Sequence, residues 1–166
     1  MILVDSNQIH QQLAPAMRFK MDPSRIVNYY QKTLPFYRLF WHRGFGSNAL
    51  HLGFWDRNIK SIHQALLNEN RILAVEVDLG PGQRVLDAGC GIGGSAIWLA
   101  TNYKARVIGI SLSEKELSIA NATAWARGVG SLAQFYVMDY LQTGFPNSSF
   151  DIVWAIESMC HAEHKQ

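Results

Sequence analysis

The spacing of apolar residues changes character near position 82. Before it, from Asp22 to Trp55, the chain is crowded with aromatics: Tyr29, Tyr30, Phe36, Tyr37, Phe40, Trp41, Phe45, Phe54 and Trp55. Asp22-Pro23 offers an N-cap followed by proline in the first turn, which predicts a helix starting there and bent or broken at Pro35. Gly44, Gly46 and Gly53 make the following stretch loop-like. A second helix is predicted over 58–77, where Ile59, Ile62, Ala65, Leu66, Ile72 and Leu73 trace one stripe, and Gly80-Pro81-Gly82 closes the section. Beyond it, strand and helix patterns alternate. Strands are predicted over 84–87, 106–110, 134–138 and 150–156, with helices over 93–103 and 113–127. Strands separated by helices make βαβ units and a parallel sheet, so the fold class is α/β. The chain then divides into a loosely held arm (1–21), a helical, aromatic-rich cap (22–80) and an α/β core (81–166).

Composition narrows the class of protein. The chain has 166 residues, 48% hydrophobic and 17% charged, which suits a soluble globular domain able to bury a core. A net charge of +2 gives no reason to invoke nucleic acid. No apolar run is long enough to span a bilayer and the first residues lack the layout of a signal peptide, which leaves the cytoplasm as the expected compartment. Cys90 and Cys160 have no metal-ligand spacing and make no disulfide framework; both are read as reduced thiols, and no metal site is expected.

The chemistry concentrates at Asp87-x-Gly89-x-Gly91-x-Gly93, which follows a strand and opens a helix. Glycines there let the backbone turn tightly and approach a ligand that a Cβ would exclude. Gly89, Gly91 and Gly94 also satisfy a dinucleotide fingerprint, which by itself is weak. Two features favour S-adenosylmethionine over a nicotinamide cofactor. Asp87 suits the cationic amino-acid end of S-adenosylmethionine, directly or through water, and does not suit a pyrophosphate. The second strand ends in Gly109-Ile110-Ser111-Leu112-Ser113, without the acid that would hold an NAD ribose.

Three stretches carry a resemblance: Val85-Leu86-Asp87-Ala88-Gly89-Cys90-Gly91-Ile92-Gly93-Gly94, Val107-Ile108-Gly109-Ile110-Ser111-Leu112-Ser113, and Phe150-Asp151-Ile152-Val153-Trp154-Ala155-Ile156-Glu157-Ser158. With them the chain resembles small-molecule S-adenosylmethionine methyltransferases of the sterol, tocopherol and cyclopropane-synthase group. The segment Ala155-Ile156-Glu157-Ser158-Met159-Cys160-His161-Ala162 looks most like the sterol version, and Leu50-His51-Leu52-Gly53-Phe54-Trp55 is similar to that group's aromatic N-terminal region. The resemblance implies a Rossmann-like methyltransferase fold with helices on both faces of a partial sheet in the order 3-2-1-4. It implies S-adenosyl-L-methionine as cofactor and S-adenosyl-L-homocysteine as product.

The same resemblance suggests roles. Ser111 stands where many relatives carry the ribose-binding acid, and in the cyclopropane-synthase subgroup the matching ribose ligand is Glu116. Ser113-x-x-Glu116 is equally a capping box. Asp139 suits the adenine amino group, with a solvated loop aspartate as the alternative, and Leu112 or Tyr140 could pack on the adenine faces. Glu157 follows the fourth strand at the edge where open α/β sheets bind ligands. His161 could act as a base or orient a hydroxyl; an exposed loop histidine is the plainer reading. Cys160 replaces the glutamate that holds bicarbonate in cyclopropane synthases, which counts against that activity.

Methyl transfer from a sulfonium asks mainly for alignment and exclusion of water. If the acceptor is an alkene carbon, aromatic faces could stabilise the carbocation, and Tyr29, Tyr30 and Trp55 are the candidates; core packing is the alternative for any single ring. The expected acceptor is a small hydrophobic molecule: a sterol, prenyl-quinol, lipid or related natural product. The chain stops just past its fourth strand, so a fragment, or a truncated product that self-associates through its open sheet edge, is expected. The alternatives are a cofactor-binding module without turnover and, more remotely, an NAD(P)-dependent oxidoreductase.

Overall fold

The computed structural model describes residues 22–36, 48 and 51–159. Helix α1 (Pro23–Phe36) starts where Asp22 predicts: the Asp22 carboxylate accepts from Ser24 N at 3.0 Å and from Ser24 Oγ at 2.7 Å. It ends within one residue of Pro35. Helix α2 (Ile62–Glu76) begins later than the hydrophobic stripe suggested, because Ser61 is its N-cap and accepts from Gln64 N. Its buried face also departs from the stripe. Ala65, Leu66 and Ala74 are buried, but so are Asn68 and Asn70, while Leu73 is exposed. Asn68 escapes the usual cost of burial by donating to the Phe54 carbonyl and the Asp56 carboxylate.

The core follows: β1 (Arg84–Ala88), α3 (Gly94–Tyr103), β2 (Arg106–Ser111), α4 (Glu114–Ala126), β3 (Ala133–Val137) and β4 (Ile152–Trp154). The four strands form one parallel sheet in the order β3-β2-β1-β4, as expected. Register pairs Ala88 with Ile110, Ser111 with Val137 and Asp87 with Trp154, so all four strands end along one edge. At the opposite end Arg84 clamps Asp151 with a two-pronged ion pair, its Nη2 at 2.7 Å and Nε at 3.2 Å, which aligns the starts of β1 and β4. Helices α3 and α4 pack against β2, β3 and each other. Val85, Ala96, Ile97, Leu99, Val107, Leu117, Ala120 and Phe135 fill the space between them. Burial of this kind stabilises by roughly 25 cal/mol per Å² of apolar surface.

One packing detail shapes the site. Phe135 on β3 lies over Gly109, its register partner on β2; a Cβ on Gly109 would fall 2.6 Å from the ring and 3.0 Å from Cys90 Cβ. The missing side chain at Gly109 is what admits the ring. Gly109→Ala is therefore expected to destabilise the fold by about 1–3 kcal/mol through overpacking. Urea denaturation checks this, and Phe135→Leu in the same chain should recover part of the loss, since the double variant relieves the contact.

Candidate active site at the carboxyl edge of the sheet

Between β1 and α3 the backbone folds back on itself through glycines. Gly89, Gly91 and Gly93 take φ values of 87°, 53° and 81°, a region disfavoured for any residue with a Cβ. Gly89 N and Cys90 N both donate to the Ile110 carbonyl at 2.9 Å, and Gly93 N closes the turn on the Cys90 carbonyl at 2.9 Å. Gly93 is also the N-cap of α3 and offers no side chain for that purpose. The missing acceptor comes from the strand before it: the Asp87 carboxylate takes the backbone N–H of Ala96.

Asp87 is 3% exposed, and its Oδ2 has no hydrogen-bond partner among the described residues. Burial raises its pKa to about 7, partly opposed by the Ala96 hydrogen bond. Glu116 is a second carboxyl of this kind. It is 3% exposed, its Oε2 accepts from Ser111 Oγ at 3.0 Å, and its Oε1 has no partner among the described residues. Burial pushes its pKa up too. The capping box forms only by half: Ser113 Oγ accepts from Glu116 N at 3.4 Å, while Ser113 N donates to Ser111 Oγ instead of to the glutamate. The Glu116 side chain is thereby turned toward the end of β2. Burial, with the Asp87 and Glu116 carboxyls nearby, raises the Cys90 thiol well above its ordinary pKa, so it stays protonated and is no nucleophile.

The remaining edge residues come from two loops. Asp139, just past β3, is half-buried and accepts from Leu141 N at 2.9 Å in a local turn. Tyr140 Oη donates to the Ser158 carbonyl at 3.3 Å. Ser158 Oγ donates to the Ala88 carbonyl at 2.5 Å, and a Cβ on Gly89 would lie 2.4 Å from Ser158 Cβ. Glu157 accepts from Leu52 N at 3.0 Å.

The sheet edge thus brings together Asp87, Gly89, Gly91, Gly93, Ser111, Glu116, Asp139, Tyr140 and Glu157, with Leu112 half-buried beside Ser111. Tyr29 and Tyr30 lie on α1, edge to face with ring centroids 5.2 Å apart, and none of the contacts above joins them to this edge. Trp55 is exposed. His161 and Cys160, like residues 1–21 and the aromatics Tyr37, Phe40, Trp41 and Phe45, lie outside the described residues. Sequence reasoning missed Ser158 as the cover of Gly89 and His51 as a buried partner of Glu69. Ser158 stood in the matching stretch without a role, and nothing in the sequence marks a pairing between His51 and Glu69. Among the described residues no cluster of three or more His, Cys, Asp or Glu is placed to hold a metal.

Residues 85–166 match the family model described as a methyltransferase domain. This segment resembles the methyltransferase domain family. The chain is 39% identical over 112 residues to 27-O-demethylrifamycin SV methyltransferase of Amycolatopsis mediterranei (strain S699), an alignment covering 68% of this chain and 41% of the relative. It is 31% identical over 144 residues to cycloartenol-C-24-methyltransferase of Arabidopsis thaliana, covering 85% of this chain and 42% of that one. Among solved structures, the [4+2]-cyclase SpnF superposes with a TM-score of 0.72 at 28% identity, over 80% of this chain and 48% of its own. The chain therefore spans less than half the length of these proteins. The match to the methyltransferase domain begins at β1 and takes in the whole of the sheet.

In this sheet Asp87 carries a stability cost that depends on pH. A carboxyl that the folded protein keeps protonated to higher pH than the unfolded chain does favours the fold at low pH. That contribution is lost as pH rises from about 4 toward about 7, and for this shift it is on the order of 4 kcal/mol. Asp87→Asn keeps an acceptor for Ala96 N and removes the charge. It is expected to raise the urea midpoint at pH 8 and to flatten the fall in stability between pH 5 and pH 8. An unchanged profile would show that Asp87 ionises without penalty.

Proposed function

We propose that the chain forms the cofactor-binding part of an S-adenosylmethionine-dependent methyltransferase acting on a small hydrophobic acceptor, such as a sterol, prenyl-quinol, lipid or related natural product, in the cytoplasm. The observation that carries the reading is the pair of buried carboxyls near Cys90 of the glycine turn, Asp87 at the end of β1 and Glu116 beside the end of β2, each with one oxygen that no described residue satisfies. A buried, unpaired acceptor is costly unless a ligand uses it. Asp87 fits the cationic amino-acid end of S-adenosylmethionine. Glu116, with Ser111, fits the ribose hydroxyls. Gly89, Gly91 and Gly93 give backbone access, while Leu112, Asp139 and Tyr140 border the adenine side and Glu157 the outer rim.

The cofactor supplies an activated methyl group whose departure leaves a neutral thioether. The chain's own task is to hold and align, and no nucleophile of its own is required, in keeping with the protonated Cys90. Acceptor contacts are assigned to Tyr29, Tyr30 and Trp55, and any proton transfer to His161.

A second reading has one observation behind it. SpnF shares this fold and is described as a cyclase, so cofactor-binding architecture does not by itself secure methyl transfer. On that reading the chain is a binding module without turnover. The nicotinamide reading has no comparable support.

Isothermal calorimetry with S-adenosylhomocysteine tests the proposal. Binding is expected, and Gly91→Val should weaken it by tenfold or more, since a side chain there takes the backbone approach away (about 1.4 kcal/mol or more). Unchanged affinity in that variant would displace the ligand from the turn. Binding with no methylation of sterols, prenyl-quinols or lipids would favour the binding module.

The pH dependence has a definite sign. Because apo Asp87 is largely protonated below about 7 and the ligand's ammonium favours its charged form, affinity should rise from pH 6 to pH 8. Binding near pH 6.5 should release a proton, visible as a dependence of the measured heat on the buffer. Flat affinity without proton release would remove Asp87 from the ligand's amino end.

A further inference from the structure

Residues 51–55 form a short strap between cap and core, fastened at four points. His51 is buried, with Nδ1 2.5 Å from Oε2 of Glu69 on α2. Gly53, at φ 79°, presses on α2 so closely that a Cβ would lie 2.6 Å from the Ala65 carbonyl carbon. Phe54 N donates to the Ala65 carbonyl at 3.0 Å, and the Phe54 carbonyl accepts from Asn68 Nδ2 at 3.1 Å. These three anchors lie on α2. The fourth crosses to the sheet edge: Leu52 N donates to Glu157 Oε1 at 3.0 Å.

With its backbone pinned, the strap leaves three large apolar side chains outside, Leu52, Phe54 and Trp55, each more than half exposed. Three such residues within four positions form a patch that a folded chain normally covers or uses. Glu157 is also held at φ 52°, a conformation unfavourable for a residue with a Cβ and kept only where the surroundings impose it. Its neighbour Ser158 covers Gly89 and bonds the Ala88 carbonyl. Gly89, Ser158, Glu157 and Leu52 are thus linked by direct contact or by the chain itself, from the glycine turn to the strap.

Resting on the function proposed above, we infer that Glu157 is a positioning residue: its carboxylate ties the 51–55 strap to the glycine turn, so that cofactor occupancy and strap order are coupled, and Leu52, Phe54 and Trp55 are presented beside the cofactor as the face that meets an apolar acceptor. A carboxylate suits the task because its bond to a backbone N–H is charge-assisted and stronger than that of a neutral acceptor. A plain structural tether would hold the strap equally with and without cofactor. The coupling distinguishes the two.

Hydrogen exchange on the full chain, read by mass spectrometry with and without saturating S-adenosylhomocysteine, tests the inference. In the wild-type protein the ligand should slow exchange in peptides spanning the strap by about tenfold, alongside those of β1 and the glycine turn. Glu157→Ala, read at a ligand concentration high enough to protect its glycine-turn peptides, should speed strap exchange by a similar factor and abolish the strap's response to ligand. Glu157→Gln, which retains an acceptor oxygen, should restore most of the protection. Ligand protection of the turn with an unchanged wild-type strap, or a strap that still responds in Glu157→Ala, would overturn the coupling and leave the functional reading standing. No protection anywhere would bring down that reading and this inference together. Should the alanine variant fail to fold, the wild-type ligand response decides alone.

Discussion

A helix that begins on glycine has no side chain of its own to satisfy its first N–H groups, and α3 begins on Gly93. The turn before it is equally bare, because its positive φ values and close contacts leave no room for Cβ atoms at Gly89 and Gly93. Everything the turn needs therefore comes from neighbouring elements. Asp87 on β1 supplies the helix cap, Ile110 on β2 takes two of the turn's N–H groups, Phe135 on β3 fills the space behind Gly93, and Ser158 after β4 covers Gly89. All four strands meet at this point, and their parallel order makes the meeting possible.

That arrangement has an electrostatic consequence. A cap supplied from inside a sheet is a buried carboxyl, and Asp87 holds its proton to about pH 7 for that reason. Glu116 shows the same compromise at the end of β2, where it meets Ser111 and leaves one oxygen unsatisfied. Two such groups near Cys90 lower the stability of the ligand-free fold near neutral pH. Proteins keep costs of this kind where function uses the group, and a cationic, hydroxyl-bearing cofactor would use both.

In sequence the chain resembles a rifamycin methyltransferase and a cycloartenol methyltransferase, and in fold a protein described as a cyclase. A shared fold does not fix function, which rests on the contacts that a particular site makes. One such set of contacts here is the strap formed by residues 51–55, fastened to α2 by His51, Gly53 and Phe54 and to the sheet edge by Glu157. It leaves Leu52, Phe54 and Trp55 exposed, the face proposed to meet an apolar acceptor.

Local rules were enough for much of this. Alternating strand and helix patterns determined the parallel sheet, Asp22-Pro23 the start of α1, and Asp87 to Gly93 a tight glycine turn between β1 and α3, because backbone conformation and apolar periodicity act over a few residues. The sequence also carried the side-chain types at the edge, Ser111, Glu116, Asp139 and Glu157. Their partnerships were decided by tertiary structure. Glu116 read equally well as half of a capping box until Ser111 was found holding it, and Glu157 read as a rim residue until Leu52, 105 positions away in the chain, was found donating to it. The apolar stripe misplaced the buried face of α2, since Asn68 is buried with bonds to Phe54 and Asp56 that no helical period can register. Periodicity reports which residues favour burial. Which polar atoms become satisfied there depends on segments far apart in sequence, and only the folded chain brings those together.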